Sequence, residues 1–499
     1  MRKLASRQAK FRFALKRFKG FWNEFRRSKR GLLGVAIIAL YIGVAVLAPA
    51  IAPYEPYGPV LPGHYPAGDR PQIAERLAKP IWLKSLPGGD AFSENFFPIQ
   101  DHTLSTLQSI QAEWNWTSAN CTAAPNLTQG QQEDGCIEVV HSPSSDPAEI
   151  GYSKIWREFT YPFKDRPQSF IIHVSIFTSK TTAVSTEINI AVNGTAAYTY
   201  SVASNELKNN TWSNIFIRSG TSPRLVGTAF PKAGTGYSLQ AEITTNANEN
   251  VTVRLDNFDL LLYGEVFGIL GSDGALGKPR DIFSTLIYGT RISLMVGLLS
   301  AAVSVVLGLF LGLVSGFVGG FGDELIMRFA DFLLVLPTLP LLIVLIVVTQ
   351  ASIWNLILLL SFMGWMGFAR QVRSMVLSLR ERPFVEAARS VGASTSYIIL
   401  RHIIPNVFAL VYITLATHVP GAIISEASIS WLGLFDPSIV SWGRMLYEFT
   451  DSGVVSLPFG DYWFWMIPPG IAIMVLAMAF ILMGYALDEI LNPRLRQRF

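Results

Sequence analysis

Glu386-Ala387-Ala388-Arg389-Ser390-Val391-Gly392, followed after Arg401 by His402-Ile403-Ile404-Pro405-Asn406, is a charged stretch between two long apolar runs. Each run is long enough to cross a bilayer core of about 30 Å. The fold turns on reading this stretch as a connection between membrane spans rather than as a face of a soluble domain. Glu386 and Arg389 stand at i, i+3 and can pair with each other or with a partner. Ala387 and Ala388 let a short helix sit close against another surface. Gly392 can take φ > 0 and turn the chain out of that helix. On spacing alone the same residues also describe an ordinary solvated helix with a glycine C-cap.

Working outward, the chain has 499 residues, 50% of them hydrophobic and only 15% charged. A soluble protein carries about 25% charged residues, and the deficit is concentrated in the apolar runs. The charge that remains is unevenly placed. The first thirty residues hold twelve lysines and arginines, from Arg2 to Arg30, against the single acid Glu24. Basic residues beside a span stay cytoplasmic, so the N-terminus is expected inside. Phe11, Phe13, Phe18, Phe21, Trp22 and Phe25 between the charges predict an amphipathic helix over residues 1–30, lying on anionic lipid. A nucleic-acid-binding arm is the rival reading and is not favoured beside so many spans. Ala48-Pro49-Ala50 resembles a signal-peptide cleavage site, but the apolar run is longer than the usual ~7–15 residues of a signal core. An uncleaved span is expected.

Six transmembrane helices are expected, near Gly31–Ala52, Ile292–Phe317, Phe332–Thr349, Ile353–Ala369, Val407–Ile424 and Trp463–Leu487. Arg370, Arg373, Arg380, Arg382, Arg389 and Arg401 crowd the loop 370–406, and Arg494, Arg496 and Arg498 lie in the tail 491–499. An even number of spans puts these clusters on the same side as the basic N-terminus, with both termini cytoplasmic.

Residues 53–265 differ in character. The first part reads as irregular. From about residue 112 the pattern is strand-like, with Phe170 to Phe177 and Val251 to Leu262 as strands. Ile188, Ile190 and Val192 alternate into a hairpin turn at Asn193-Gly194. A β-sandwich of roughly 110–150 residues is expected, on the extracytoplasmic side, with the outer-face segment 266–291 leading into the core domain 292–490. Cys121 and Cys136 are the only cysteines, and a disulfide between them is expected there, contributing up to ~3 kcal/mol. N-x-[ST] sequons at Asn115, Asn120, Asn126, Asn193, Asn209 and Asn250 mark sites for N-glycosylation, which would imply an archaeal or eukaryotic surface.

The loop around Glu386 resembles the EAA loop of ABC importer permeases. Four further segments are similar to the C-type permease subunit of dipeptide/oligopeptide importers. They are Leu47 to Pro56; Leu270-Gly271-Ser272-Asp273 with Arg280 to Leu294; Met327-Arg328 with Asp331 and Pro337; and Glu426, Ser430 to Leu434, Ser441-Trp442-Gly443 and Asp488 to Arg494. The interval from Asp273 to Arg280 is longer than the family's. The large insert falls outside the shared pattern. The resemblance implies an all-α polytopic membrane protein with the type I ABC importer permease fold, into which the β-sandwich is inserted. It also implies that Glu386, Ala387, Ala388, Arg389, Gly392, His402 and Pro405 belong to a loop docking on an ATPase. The implied partners are a homologous second permease subunit, two ABC ATPase subunits, an extracytoplasmic solute-binding protein and membrane lipids, with no nucleic acid. The implied solute is a di- or oligopeptide; related permeases carry oligosaccharides or nickel.

Other residues read as follows. Gly308, Gly312 and Gly316 recur every fourth residue, which lets helix backbones approach, within the subunit or against the partner permease. Arg328 and Asp331, at i, i+3, suggest an interfacial ion pair, with a transport role as the alternative. Glu426 lies in an apolar span, facing the translocation path or pairing with a neighbour. Pro337, Pro340, Pro468 and Pro469 start or kink helices. The sequence has no G-x-x-x-x-G-K-[ST] loop, so this chain is not expected to be an enzyme. No cofactor is expected on it; ATP and Mg would be used by partner subunits. Six histidines and two cysteines give no metal-ligand spacing, and His402 and His418 read as structural. A second class of function is a membrane-anchored surface binding module, in which the insert, with Trp114, Trp116, Trp156 and Trp212, does the work. An anchor would need one span and no ATPase, so co-purification separates the two.

Overall fold

A computed structural model describes residues 24–56, 72–99, 104, 110–111, 113–131, 135–143, 150–220, 222–231, 236–246, 249–274 and 279–491. The expected N-terminal amphipathic helix falls largely outside these residues, and the three arginines of the C-terminal tail wholly so. The chain divides into a helical unit, Met1–Tyr57 with Phe283–Phe499, and a second unit, Gly58–Ile282.

In the helical unit, α1 spans Lys29–Ile51. It opens at Ser28, whose hydroxyl accepts the Gly31 N–H at 3.2 Å and so satisfies one of the free donors of a helix N-terminus. α2 (Ile282–Val318), α3 (Gly320–Val335) and α4 (Thr338–Thr349) follow. Next come α5 (Ile353–Arg380), α6 (Pro383–Ser390) and the single turn α7 (Thr395–Ile398). A π-turn at Ile399–Ile403 leads into α8 (Ile404–Trp431). α9 (Trp442–Asp451) and α10 (Trp463–Leu491) complete the unit.

Five helical stretches among the described residues are apolar and long enough to cross a membrane: α1, α2, α5, Thr395–Trp431 and α10. The expected third span differs from Phe332–Thr349. Its residues are shared between α3 and α4, which meet at 96° and make a sixth crossing only if taken together. The break falls at Leu336-Pro337, where proline biases the preceding residue away from the helical region. Leu336 is extended, at φ −71° and ψ 137°. Hydropathy also marked the apolar middle of the longer helices rather than their ends. α2 begins at Ile282 and not Ile292, and α5 runs beyond Ala369 to Arg380.

Close packing inside this unit depends on small residues. A Cβ on Gly31 would lie 2.6 Å from that of Ala486, and one on Gly34 2.6 Å from the Ala479 carbonyl. α1 and α10 therefore meet backbone to backbone, as small residues allow in membrane helices. The Tyr41 hydroxyl donates to the Ala472 carbonyl at 3.3 Å. Ser441-Trp442-Gly443 is a second close junction. Ser441 caps α9 by accepting the Arg444 N–H at 3.2 Å. The buried Trp442 indole donates to the Leu286 carbonyl of α2 at 3.0 Å. Any Cβ on Gly443 would meet the Ala427 Cα at 2.6 Å.

The second unit contains two five-stranded sheets. The strands are β1 (Asn115–Ala119), β2 (Thr122–Asn126), β3 (Cys136–His141), β4 (Gly151–Thr160) and β5 (Ser169–Thr178), then β6 (Val184–Val192), β7 (Thr195–Val202), β8 (Thr211–Arg218), β9 (Gly236–Thr245) and β10 (Val251–Tyr263). The orders are β1-β4-β9-β6-β7 and β2-β3-β10-β5-β8, and every pairing is antiparallel. Inward residues of both sheets, such as Ile155, Ile188, Leu239, Ile172, Val174 and Val253, share one core, which makes a sandwich. The Asn193-Gly194 turn has φ of +50° and +83°, the two positive values that a two-residue hairpin of this twist requires. Before β1, the described residues contain short 3-10 turns at Ile81–Ser85 and Gly89–Ala91. The long Asp273–Arg280 interval is closed by its own ends: Arg280 Nε lies 2.8 Å from Asp273 Oδ2, both side chains buried.

The expected disulfide does not form. Antiparallel pairing sets Asn126 opposite Cys136 and Thr122 opposite Val140, so Cys121 stands one place beyond, level with His141. Five strand residues at about 3.3 Å each then separate the two cysteines, far beyond the ~7 Å Cα limit for a bridge. Cys121 Sγ lies 3.2 Å from the Tyr152 carbonyl, and Cys136 is buried at the start of β3. Of the sequon asparagines, Asn115, Asn120, Asn193, Asn209 and Asn250 are exposed and Asn126 is half-buried. Three are engaged in local structure. Asn120 Nδ2 donates to the Ile150 carbonyl at 3.3 Å. Asn126 Nδ2 donates to Glu138 at 3.1 Å, and Asn209 Oδ1 accepts the Thr181 N–H at 2.6 Å.

Candidate functional site

The charged stretch between α5 and α8 is folded. Pro383 occupies the first turn of α6, where its missing N–H costs nothing. Val385 is buried in one core with Phe317, Val376 and Ile403, which joins the helix to α2, α5 and the π-turn. Glu386, Ala387 and Arg389 remain exposed, and Ala388 is half-buried. Glu386 and Arg389 do not pair; the Arg389 guanidinium lies 5.6 Å from the centre of the Phe317 ring. The C-terminus of α6 closes with a Schellman pair. Gly392 N–H donates to the Arg389 carbonyl at 2.9 Å, and Ala393 N–H to that of Ala388 at 3.1 Å. This needs a left-handed residue at Gly392, whose φ is +79°. Val391, beside it, is 89% exposed. The His402 ring packs 6.1 Å from Phe384 and 5.9 Å from Tyr397, which ties α6 to α7, and Pro405 stands in the first turn of α8. The result is a short braced helix with an outer face of small and charged side chains.

Gly308, Gly312 and Gly316 all face α5. Cβ atoms there would meet the Trp365 carbonyl at 2.8 Å, the Ala369 carbonyl at 2.6 Å and the Val376 Cβ at 2.8 Å. The stripe is packing inside this chain.

Arg328 and Asp331 do not form the expected pair. Asp331 accepts from Arg370 on α5. One helical turn on, Arg373 binds Asp323 with two bonds of 2.6 Å, and Ser315 of α2 donates to the same carboxylate. The partners come from different helices, so spacing within α3 could not reveal them. Bidentate arginine–carboxylate bonds are directional, and they hold α3 along the polar extension of α5.

Glu426 is 2% exposed. Ser430 donates to its Oε1 at 2.8 Å, while Oε2 has no hydrogen-bond partner. It borders a small cavity of about 10 Å³ with Ser430, Asp436 and Ser441, room for about one water molecule.

A larger cavity, of about 270 Å³, opens between α2, α4, α5 and α8. Its polar lining is Ser300, Ser304, Thr338, Thr417, His418 and Ser425. Sequence reading missed this group. The signal was present as hydroxyl residues at helical spacing inside apolar spans, Ser300 with Ser304 and, two turns apart, Thr417 with Ser425.

Residues 304–497 match the model of the binding-protein-dependent transport system inner membrane component. Residues 16–80 match that of the N-terminal transmembrane domain of oligopeptide transport permease C. The oligopeptide transport system permease protein OppC of Bacillus subtilis (strain 168) is 36% identical over 221 residues, 44% of this chain and 70% of that one. The chain belongs to the binding-protein-dependent permease family, in its oligopeptide C-type branch. The glutathione transport system permease protein GsiD of Shigella flexneri serotype 5b (strain 8401) is 38% identical over 218 residues, 44% of this permease and 70% of the relative. A putative peptide permease of Brucella ovis is 34% identical over 224 residues, 44% and 72% of the two chains. The match over residues 304–497 spans the glycine stripe, the braced helix α6 and the polar cavity's lining apart from Ser300 and Ala301.

Proposed function

We propose that this permease is one transmembrane half of an ATP-driven importer for di- or oligopeptides, driven through α6 by ATPase subunits. The observation that carries the reading is the form of α6. It is a short helix with its apolar side anchored at Val385, its end locked at Gly392, and Glu386, Ala387 and Arg389 turned outward. A helix that receives force from a partner must be rigid on its own side and small on the other, and α6 is both. The peptide assignment is drawn from the relatives, two named for peptide or oligopeptide transport and one for glutathione.

In this scheme both termini and α6 are cytoplasmic and the β-sandwich lies outside. A second permease completes the pathway, and a binding protein delivers the solute. Two ATPases bind ATP and Mg, and their closure favours one permease state because they grip α6 differently in the two states. In the same scheme the sandwich steers the binding protein or the solute.

Gly392→Asp tests the scheme. The change adds charge beside the docking face at a left-handed residue with open space around it. Uptake and solute-stimulated ATPase activity of the reconstituted complex should both fall, and Gly392→Asn, which tolerates φ > 0 without charge, should retain more of each. Wild-type values in Gly392→Asp would remove α6 from the coupling path.

A further inference from the structure

We propose that the cavity between α2, α4, α5 and α8 is a solute-recognition site for the free carboxylate end of a short peptide, with His418 as its specificity-determining residue. The proposal rests on the reading of this permease as a peptide importer and names the side chains that meet the solute.

Three observations carry it. First, the Ser300 hydroxyl is 1% exposed, lines the cavity and has no hydrogen-bond partner. Burying a hydroxyl unmatched is unfavourable, and a polar solute in the cavity would satisfy it. Second, two further hydroxyls are already oriented. Ser304 donates to the Ser361 carbonyl at 3.1 Å, and Thr417 to the Ile413 and Thr414 carbonyls at 3.1 Å. Their free capacity is to accept, which suits the amide N–H groups of a peptide. Third, among the described residues His418 is the only titratable one lining the cavity, and no carboxylate, lysine or arginine from α2, α4, α5 or α8 faces it there. Glu426 is near in sequence but borders the other, smaller cavity. An ammonium group would find no counter-charge, whereas a carboxylate would find an imidazole ring N–H to donate to it. Gly364 makes the arrangement possible: a Cβ there would strike the Ser304 side chain and lie 3.8 Å from His418 Nδ1.

The test compares trialanine with trialanine amide, each presented on saturated binding protein to the full transporter in proteoliposomes. The ratio of the two uptake rates in one preparation is independent of how much protein folded, and the binding protein contributes equally to wild type and variant. Wild type should favour the free acid. His418→Leu, which removes the ring N–H, should reduce that preference about tenfold, the scale of one hydrogen bond to a charged acceptor. Ser300→Ala should reduce it about threefold. An undiminished preference in His418→Leu would overturn the site while leaving peptide import standing. A wild-type transporter that moves neither solute would overturn the peptide reading and the site with it.

Discussion

Replacing Gly312 by alanine measures how far the helical unit depends on backbone contact. The added Cβ would lie 2.6 Å from the Ala369 carbonyl oxygen and 2.7 Å from the Val372 Cβ. Unstrained contacts of this kind begin near 3.5 Å, so α2 and α5 would have to part by roughly 0.8 Å. Forcing one extra methyl into such packing costs about 1–3 kcal/mol. Alanine also improves a helix interior over glycine by about 1 kcal/mol, which would mask part of the loss. Gly367→Ala on α5 supplies the control, because its Cβ would meet nothing within 4 Å while the same helix gain applies. The difference between the two variants isolates the steric cost. At about 2–4 °C per kcal/mol, Gly312→Ala should melt roughly 2–12 °C below Gly367→Ala when the purified complex is heated in detergent. Equal midpoints would refute the claim that the glycine stripe holds these two helices together.

Two further outcomes concern the second unit. Denatured but unreduced protein should take up two alkyl groups, on Cys121 and Cys136, and labelling that needs prior reduction would contradict the strand register. In the native state Cys121 should label slowly at neutral pH, since burial pushes its thiol up. Burial also raises the Glu265 carboxyl above its ordinary range, partly opposed by Lys79. Folding therefore favours protonated Glu265, and stability declines as pH rises from the unfolded value, about 4.3, to the folded one. Glu265→Gln should melt higher than wild type at pH 7, with the gain vanishing below about pH 4; a constant offset at all pH values would exclude ionisation as the cause.

Much of this protein is local and was legible in its residues. The apolar runs, the Asn193-Gly194 hairpin, the strands around Phe170 and Val251 and the left-handed Gly392 each follow from a short window. In such a window periodicity or a single backbone conformation decides the outcome. The family was legible too, because five short segments in fixed order carry it.

What only the tertiary structure decided involves residues far apart in the chain. Cys121 and Cys136 are neighbours in sequence, yet the β2–β3 register separates them. Asp331 stands a turn from Arg328 and instead binds Arg370, because the side of α3 that faces α5 is set by packing. The bend at Leu336-Pro337 turned one expected span into two helices at 96°. Ser300 and His418 are more than a hundred residues apart and share a cavity only after α2 and α8 have packed. Sequence fixes which side chains are available and the local conformation each prefers. Which of them face one another is decided by how the helices and strands pack, because a contact between distant residues is a property of both partners and of everything that holds them in place.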